Sequence, residues 1–124
     1  MREKKAYYAH SKRKYNTSEE AEELTVIEKH FQGKVICPNK DLGELGSIEL
    51  YLNVIQSTIC VYVSEYRGYI GRGVFDECTV ALTNEISIFV IRQDNKGEYF
   101  IQEVTDVVEA RSSNLVLYGL IITK

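Results

Sequence analysis

Apolar residues along this chain fall into two patterns that alternate. Lys5–Ala9 (KAYYA), Val35–Cys37, Ile59–Val63 and Ile86–Ile91 are short, continuous runs rich in β-branched and aromatic residues. Runs of that length predict strands, and the continuous β-branched run Ile59–Val63 is expected to be a central parallel strand buried on both faces. Between them apolar residues recur every three or four positions. Ala21, Leu24, Ile27 and Phe31 form one such stripe, and Ile48, Tyr51, Leu52 and Ile55 a second. Val74, Phe75, Cys78, Ala81 and Leu82 form a third. The resulting β-α-β-α-β-α-β order predicts an α/β fold. It would be a three-layer, mostly parallel, doubly wound sheet of flavodoxin/Rossmann-like type.

The boundaries carry chemical signals. Thr17 or Ser18 can cap the first helix, and Glu19, Glu20 and Glu22 suit the positive end of its dipole. Gly33 is expected to end that helix, and Pro38 to stop the second strand, with a loop over Asn39–Gly46. After Ile91 the pattern changes. Gln93–Gly97 reads as a turn, and Glu98–Val108 and Leu115–Thr123 as strands separated by the polar segment Glu109–Asn114. These are expected to join the sheet edge. The chain therefore reads as one domain, 1–124, with a core over about 4–92 and C-terminal strands over about 98–123.

Composition adds little. Hydrophobic and charged contents of 44% and 27% suit a soluble globular protein. A net charge of −3 gives no overall attraction to nucleic acid. The early basic residues Arg2, Lys4, Lys5, Lys12, Arg13 and Lys14 form either a solvated edge or a phosphate contact. No apolar run approaches the roughly 20 residues that span a bilayer, and the charged N-terminus has no apolar segment behind it. The expected location is cytoplasmic, with no membrane partner. Cys37, Cys60 and Cys78 are scattered without a C-x-x-C pair, so reduced, buried thiols are expected. No metal site and no cofactor is expected.

Candidate chemistry gathers where the first three strands end. The loops there carry His10, Ser11 and Tyr15, then Asn39 and Asp41, then Ser64, Arg67, Tyr69 and Arg72. In an open parallel sheet such loops converge on one edge. Aromatic faces there suit a base or sugar, and the arginines suit phosphate or carboxylate. Gly68, Gly71 and Gly73 permit a tight turn and close backbone approach, but their G-x-x-G-x-G order reverses the dinucleotide fingerprint. Glu77 sits at the rim of the third stripe, partly desolvated and aimed toward the crevice. Burial would raise its pKa, while Arg67 or Arg72 nearby would lower it. It is a candidate nucleophile or acid/base; the plainer alternative is a helix N-terminal acid that favours the dipole. Glu49, beside Ile48, is either an exposed first-turn acid or a second functional one. Asp76 is expected to face solvent, and His30 to favour a helix C-terminus. His10 is either a ligand contact or a hydrogen-bonded structural residue.

Tyr7-Tyr-Ala-His-Ser11, Val35-Ile-Cys-Pro38 and Gly71-Arg-Gly-Val-Phe-Asp-Glu77 together resemble the nucleoside 2-deoxyribosyltransferase-like family. The same layout is shared by related nucleotide-processing domains, including TIR-like domains with a catalytic glutamate. The likeness covers about residues 4–92 and leaves the tail unexplained. It implies that Glu77 is the nucleophile, in a G-x-x-x-E spacing, and that Tyr7 is the family's strand tyrosine. The family typically places aspartates before the glycine turn, whereas this chain reads Tyr66-Arg-Gly-Tyr-Ile70. Glu49 would then have to supply the second acid. The resemblance further implies a homo-oligomer. The expected activity is cleavage or transfer of an N-glycosidic bond in a nucleoside or nucleotide. A non-catalytic nucleotide-binding or signal-sequestering module, and a protein-interaction domain using the C-terminal strands, are the alternatives.

Overall fold

A computed structural model describes residues 4–43, 48–112 and 115–122. The strands are β1 (Lys5–Ala9), β2 (Lys34–Ile36), β3 (Cys60–Ser64), β4 (Ser87–Gln93), β5 (Tyr99–Ser112) and β6 (Leu115–Ile122). The helices are α1 (Ser18–Phe31), α2 (Pro38–Asp41), α3 (Ile48–Ile55) and α4 (Arg72–Thr83). Gly46, Asn114 and Thr123 of the predicted elements, and Arg2 of the basic run, lie outside the described residues.

One six-stranded sheet runs in the order β2-β1-β3-β4-β5-β6. The first four strands are parallel, and β5 and β6 add antiparallel. Period-two alternation divides the core. Ala6 and Tyr8 of β1, with Cys60 and Tyr62 of β3, pack with Ile27 of α1. Tyr7, Ala9, Val61 and Val63 face the other way, toward Tyr51 and Ile55 of α3 and Val74, Cys78 and Ala81 of α4. Helices thus cover both faces of the parallel core, which is why its strands read as continuous apolar runs. From β1 the chain steps to β2 on one side, then crosses to β3 on the other. The β1 and β3 loops therefore diverge, which opens a crevice at their carboxyl ends.

Several boundaries differ from the sequence expectations. Ala21 is exposed, and the inner face of α1 carries Glu20 and Glu23 beside Ile27. The two acids are buried because cations and hydroxyls meet them there. Helix α1 ends at Gln32, in the left-handed conformation with φ of 58°, not at Gly33. At Gly33 a Cβ would stand 2.8 Å from the Phe31 ring, which would have to move aside. Residues after the second strand form the short helix α2, begun by Pro38 and closed by the Asp41 carboxylate on the Cys37 N–H at 2.8 Å. Ile59 is exposed, and the central strand starts one residue later. Strand β5 continues to Ser112, past the break expected at Glu109. The two C-terminal strands extend the sheet beneath α4. There Tyr118 stacks on Phe75 at 3.9 Å and exchanges both backbone hydrogen bonds with Ile70.

Candidate active site

The glycine-rich stretch between β3 and α4 has two parts. Tyr66–Tyr69 is a tight turn with both backbone hydrogen bonds made, and both central residues, Arg67 and Gly68, have positive φ (56° and 83°). That is the two-residue hairpin geometry, which glycine adopts without strain. Gly71 and Gly73 have no such constraint, and a Cβ at either would meet no protein atom within 4 Å. The space beside them is the mouth of a cavity.

This cavity has a volume of about 420 Å³ and lies at the carboxyl ends of β1 and β3. Its walls include His10 to Arg13 and Tyr15 from the β1 loop, Tyr51 from α3, Gly71 just before α4, and Gly73, Val74 and Glu77 from α4. A second cavity of about 450 Å³ adjoins it, sharing Ser11, Arg13, Gly71 and Val74. Ser64, Tyr66, Arg67, Tyr69, Ile70 and Leu117 complete that second wall.

Glu77 is 6% exposed and belongs to the buried face of α4 with Val74, Cys78 and Ala81. Its Oε2 accepts a hydrogen bond from Tyr7 Oη, buried behind it on β1. Burial pushes its pKa up to about 7; the Tyr7 hydrogen bond opposes this and the charge of Asp76 adds to it. Among the described residues no cation pairs with Glu77. It is therefore poised between its two protonation states near neutrality and borders an empty space. Burial and the adjacent carboxylate also hold the Tyr7 phenol well above its ordinary pKa, so it remains a donor. Tyr15, beside the same cavity, is pushed up to about 12, mainly by burial.

The other predicted residues divide. Ser11, Gly71 and Gly73 border the Glu77 cavity, Ser64, Arg67 and Tyr69 the second one. His10 also borders the first cavity, but both its ring nitrogens have partners: Nδ1 meets the Tyr8 carbonyl at 3.0 Å and Nε2 meets Glu20 at 2.6 Å. Glu49 is exposed and lines neither cavity, so the expected second acid is displaced from the crevice by its position on the outer side of α3. Arg72 also stands outside both, its guanidinium drawn to Asp76 one turn on at 3.0 Å. Asn39 lines neither; α2 turns it toward Cys37, whose Sγ donates to its Oδ1 at 3.2 Å. The three predicted loops thus reduce to two, those after β1 and β3. Asp76 is half-buried, and His30 meets the Tyr62 hydroxyl at 2.7 Å.

Arg13 takes the place expected of Arg72. Arg13 and Arg67 lie 5.4 Å and 5.2 Å from the centre of the Tyr66 ring, within cation–π range. A buried polar network was also missed. Lys14 meets Ser64 at 2.5 Å and Glu23 at 3.1 Å, and Tyr8 donates to Glu23 at 2.5 Å. No local pattern marks a lysine in a basic loop as buried; the only hint is the placement of two acids three apart on a helix. Comparisons with protein-family models, with curated proteins and with solved structures find no match for this chain.

Proposed function

We propose that the paired cavities bind a nucleoside or nucleotide and that Glu77 acts at its anomeric carbon, making the chain an N-glycosidic-bond enzyme on a flavodoxin/Rossmann-like sheet. The observation that carries this reading is Glu77 itself: a buried carboxyl with no cation partner among the described residues, held near a pKa of 7, facing a 420 Å³ space at the switch point of the sheet. A perturbed carboxyl in a cleft is a functional-site candidate on this ground. Tyr15 and Tyr51 offer faces to a base or sugar, and Arg13 and Arg67 offer guanidinium groups to phosphate next door. In the reaction the Glu77 carboxylate forms a C–O bond to the anomeric carbon. The C–N pair leaves with the base, which takes a proton from solvent. Water, or a second base in a transferase, then opens the glycosyl ester and restores the carboxylate. Tyr7 acts through Glu77, orienting it and favouring its charged form. The resemblance to the deoxyribosyltransferase-like group supports the same roles.

The test is base release from a panel of nucleosides and nucleotides, followed chromatographically. Turnover by the wild type that is lost in Glu77→Gln is the expected result; turnover that survives the substitution removes Glu77 from the mechanism. One observation favours a second reading, binding without turnover. Carboxylate chemistry at glycosidic bonds generally uses two acids, and among the described residues Glu77 is the single carboxylate on either cavity wall. Thermal stabilisation by a nucleotide recovered intact would identify that case.

A further inference from the structure

We infer that His10, Glu20 and Cys37 form a binding site for one zinc-class divalent cation, tying together the ends of β1, α1 and β2. The three residues are buried, and their donor atoms all lie within 4.8 Å of one another. They come from three separate segments, which is why no spacing motif announces them.

The hydrogen-bond geometry points to a cation. His10 Nδ1 is 3.0 Å from the Tyr8 carbonyl oxygen, which can only accept, so Nδ1 carries the hydrogen. Nε2 then presents its lone pair in the neutral ring, yet it stands 2.6 Å from Glu20 Oε2. At that separation the two atoms share a proton, which a metal ion would replace as the atoms moved apart to its coordination distances. Glu20 Oε1 is engaged by the Asn16 N–H at 3.1 Å, with Lys40 Nζ at 3.9 Å, so Oε2, which meets His10, is the oxygen a cation would take in place of the shared proton. An imidazole fixed by an Nδ1–H bond to a backbone carbonyl, with Nε2 turned to the site, is the usual support of a metal-bound histidine.

Asn39 supplies an independent observation. Its Nδ2 is buried and has no hydrogen-bond partner among the described residues, while its Oδ1 accepts from the Cys37 thiol. A metal-bound thiolate reverses that need: a half-turn of the carboxamide would let the orphan amide donate to sulfur. Binding one dication would release the Cys37 proton and any proton shared by His10 and Glu20. The carboxylate and thiolate would then neutralise the ion. The mixed N, O and S donors suit zinc or cobalt over magnesium or calcium, and three protein donors leave a fourth position for water. His10 also borders the Glu77 cavity. The inference does not depend on what that cavity binds.

The test is a titration of the chelator-treated full chain with cobalt(II), read by visible and near-ultraviolet absorbance. The expected result is one cobalt per chain with a thiolate-to-cobalt charge-transfer band, displaced by zinc and accompanied by a higher melting temperature. The band should vanish in Cys37→Ser and persist in Cys60→Ser, and His10→Gln should weaken cobalt by more than about tenfold. A folded wild-type chain that develops no thiolate band would overturn the site, whatever the variants do. A band that survives in folded Cys37→Ser would overturn it equally.

Discussion

The two faces of this sheet treat buried carboxyls in opposite ways. On the α1 face, Glu20 and Glu23 are surrounded by partners: His10, Lys40 and a backbone N–H for one, and Lys14, Ser64 and Tyr8 for the other. On the α4 face, Glu77 has one partner among the described residues, Tyr7, and borders a cavity. A buried charge needs hydrogen bonds and a counter-charge to be tolerated. The α1 acids have them, so they read as architecture and lock the β1 loop onto the helix. Among the described residues Glu77 has no counter-charge, so its ionisation is left undecided near neutrality.

Breaking the satisfied side should have the largest effect. Lys14→Met leaves Glu23 without its ammonium and should cost roughly 3–5 kcal/mol, as expected when one partner of a buried pair is removed. Urea unfolding with an unchanged m-value would register it as a lower midpoint. A loss below about 1 kcal/mol would mean that the pair is solvated and the contrast between faces is weak.

On the other face the sign reverses with pH. The Glu77 pKa is raised above its unfolded value of 4.5 to about 7 by burial. Its protonated form is thus favoured in the folded state, and that stability is complete below about 4.5 and lost as pH rises through 7. A tenfold change in an ionisation constant is worth about 1.4 kcal/mol. Glu77→Gln should therefore flatten the stability profile over that window and be more stable than wild type at pH 8 by up to roughly 3 kcal/mol. Parallel profiles for the two proteins would contradict the burial of a titrating group.

Smaller effects separate fold from site. Gly73 lies in the first turn of α4 and borders the cavity with open space at its Cβ position. Gly73→Ala should raise stability by about 0.5–1 kcal/mol, from helix propensity, while weakening nucleotide binding measured by calorimetry. Unchanged affinity would place the ligand elsewhere. Arg13→Ala and Arg67→Ala should alter stability by less than about 0.5 kcal/mol. Each should nonetheless weaken a phosphorylated ligand more than its unphosphorylated nucleoside.

Much of the fold was legible because each strand and stripe carries its own local period. KAYYA marked β1 at its bounds, and the apolar runs marked the parallel core. The boundaries that shifted did so through interactions between distant residues. The inward turn of Glu20 and Glu23 depends on Lys14 and His10 arriving from another loop, and no helical stripe counts an acid as apolar. The position of Glu77 could be read because it follows Val74 by three residues and precedes Cys78. Its partner Tyr7 came to notice only through a resemblance, since cross-sheet pairing has no signature in local sequence. Arg72 and Glu49 were misplaced for a common reason. Side chains in a helix's first turn can point to any side of it, and only the packing of α3 and α4 shows which side meets the crevice.

The most direct measurement is an NMR titration of the Glu77 side-chain carboxyl carbon in the wild type, with Glu77→Gln used to assign the resonance. A midpoint near pH 7, moved upward in Tyr7→Phe as the favouring hydrogen bond is lost, is the predicted result. A midpoint near the ordinary glutamate value of about 4.3, indifferent to Tyr7, would contradict the poised carboxyl on which the functional reading rests.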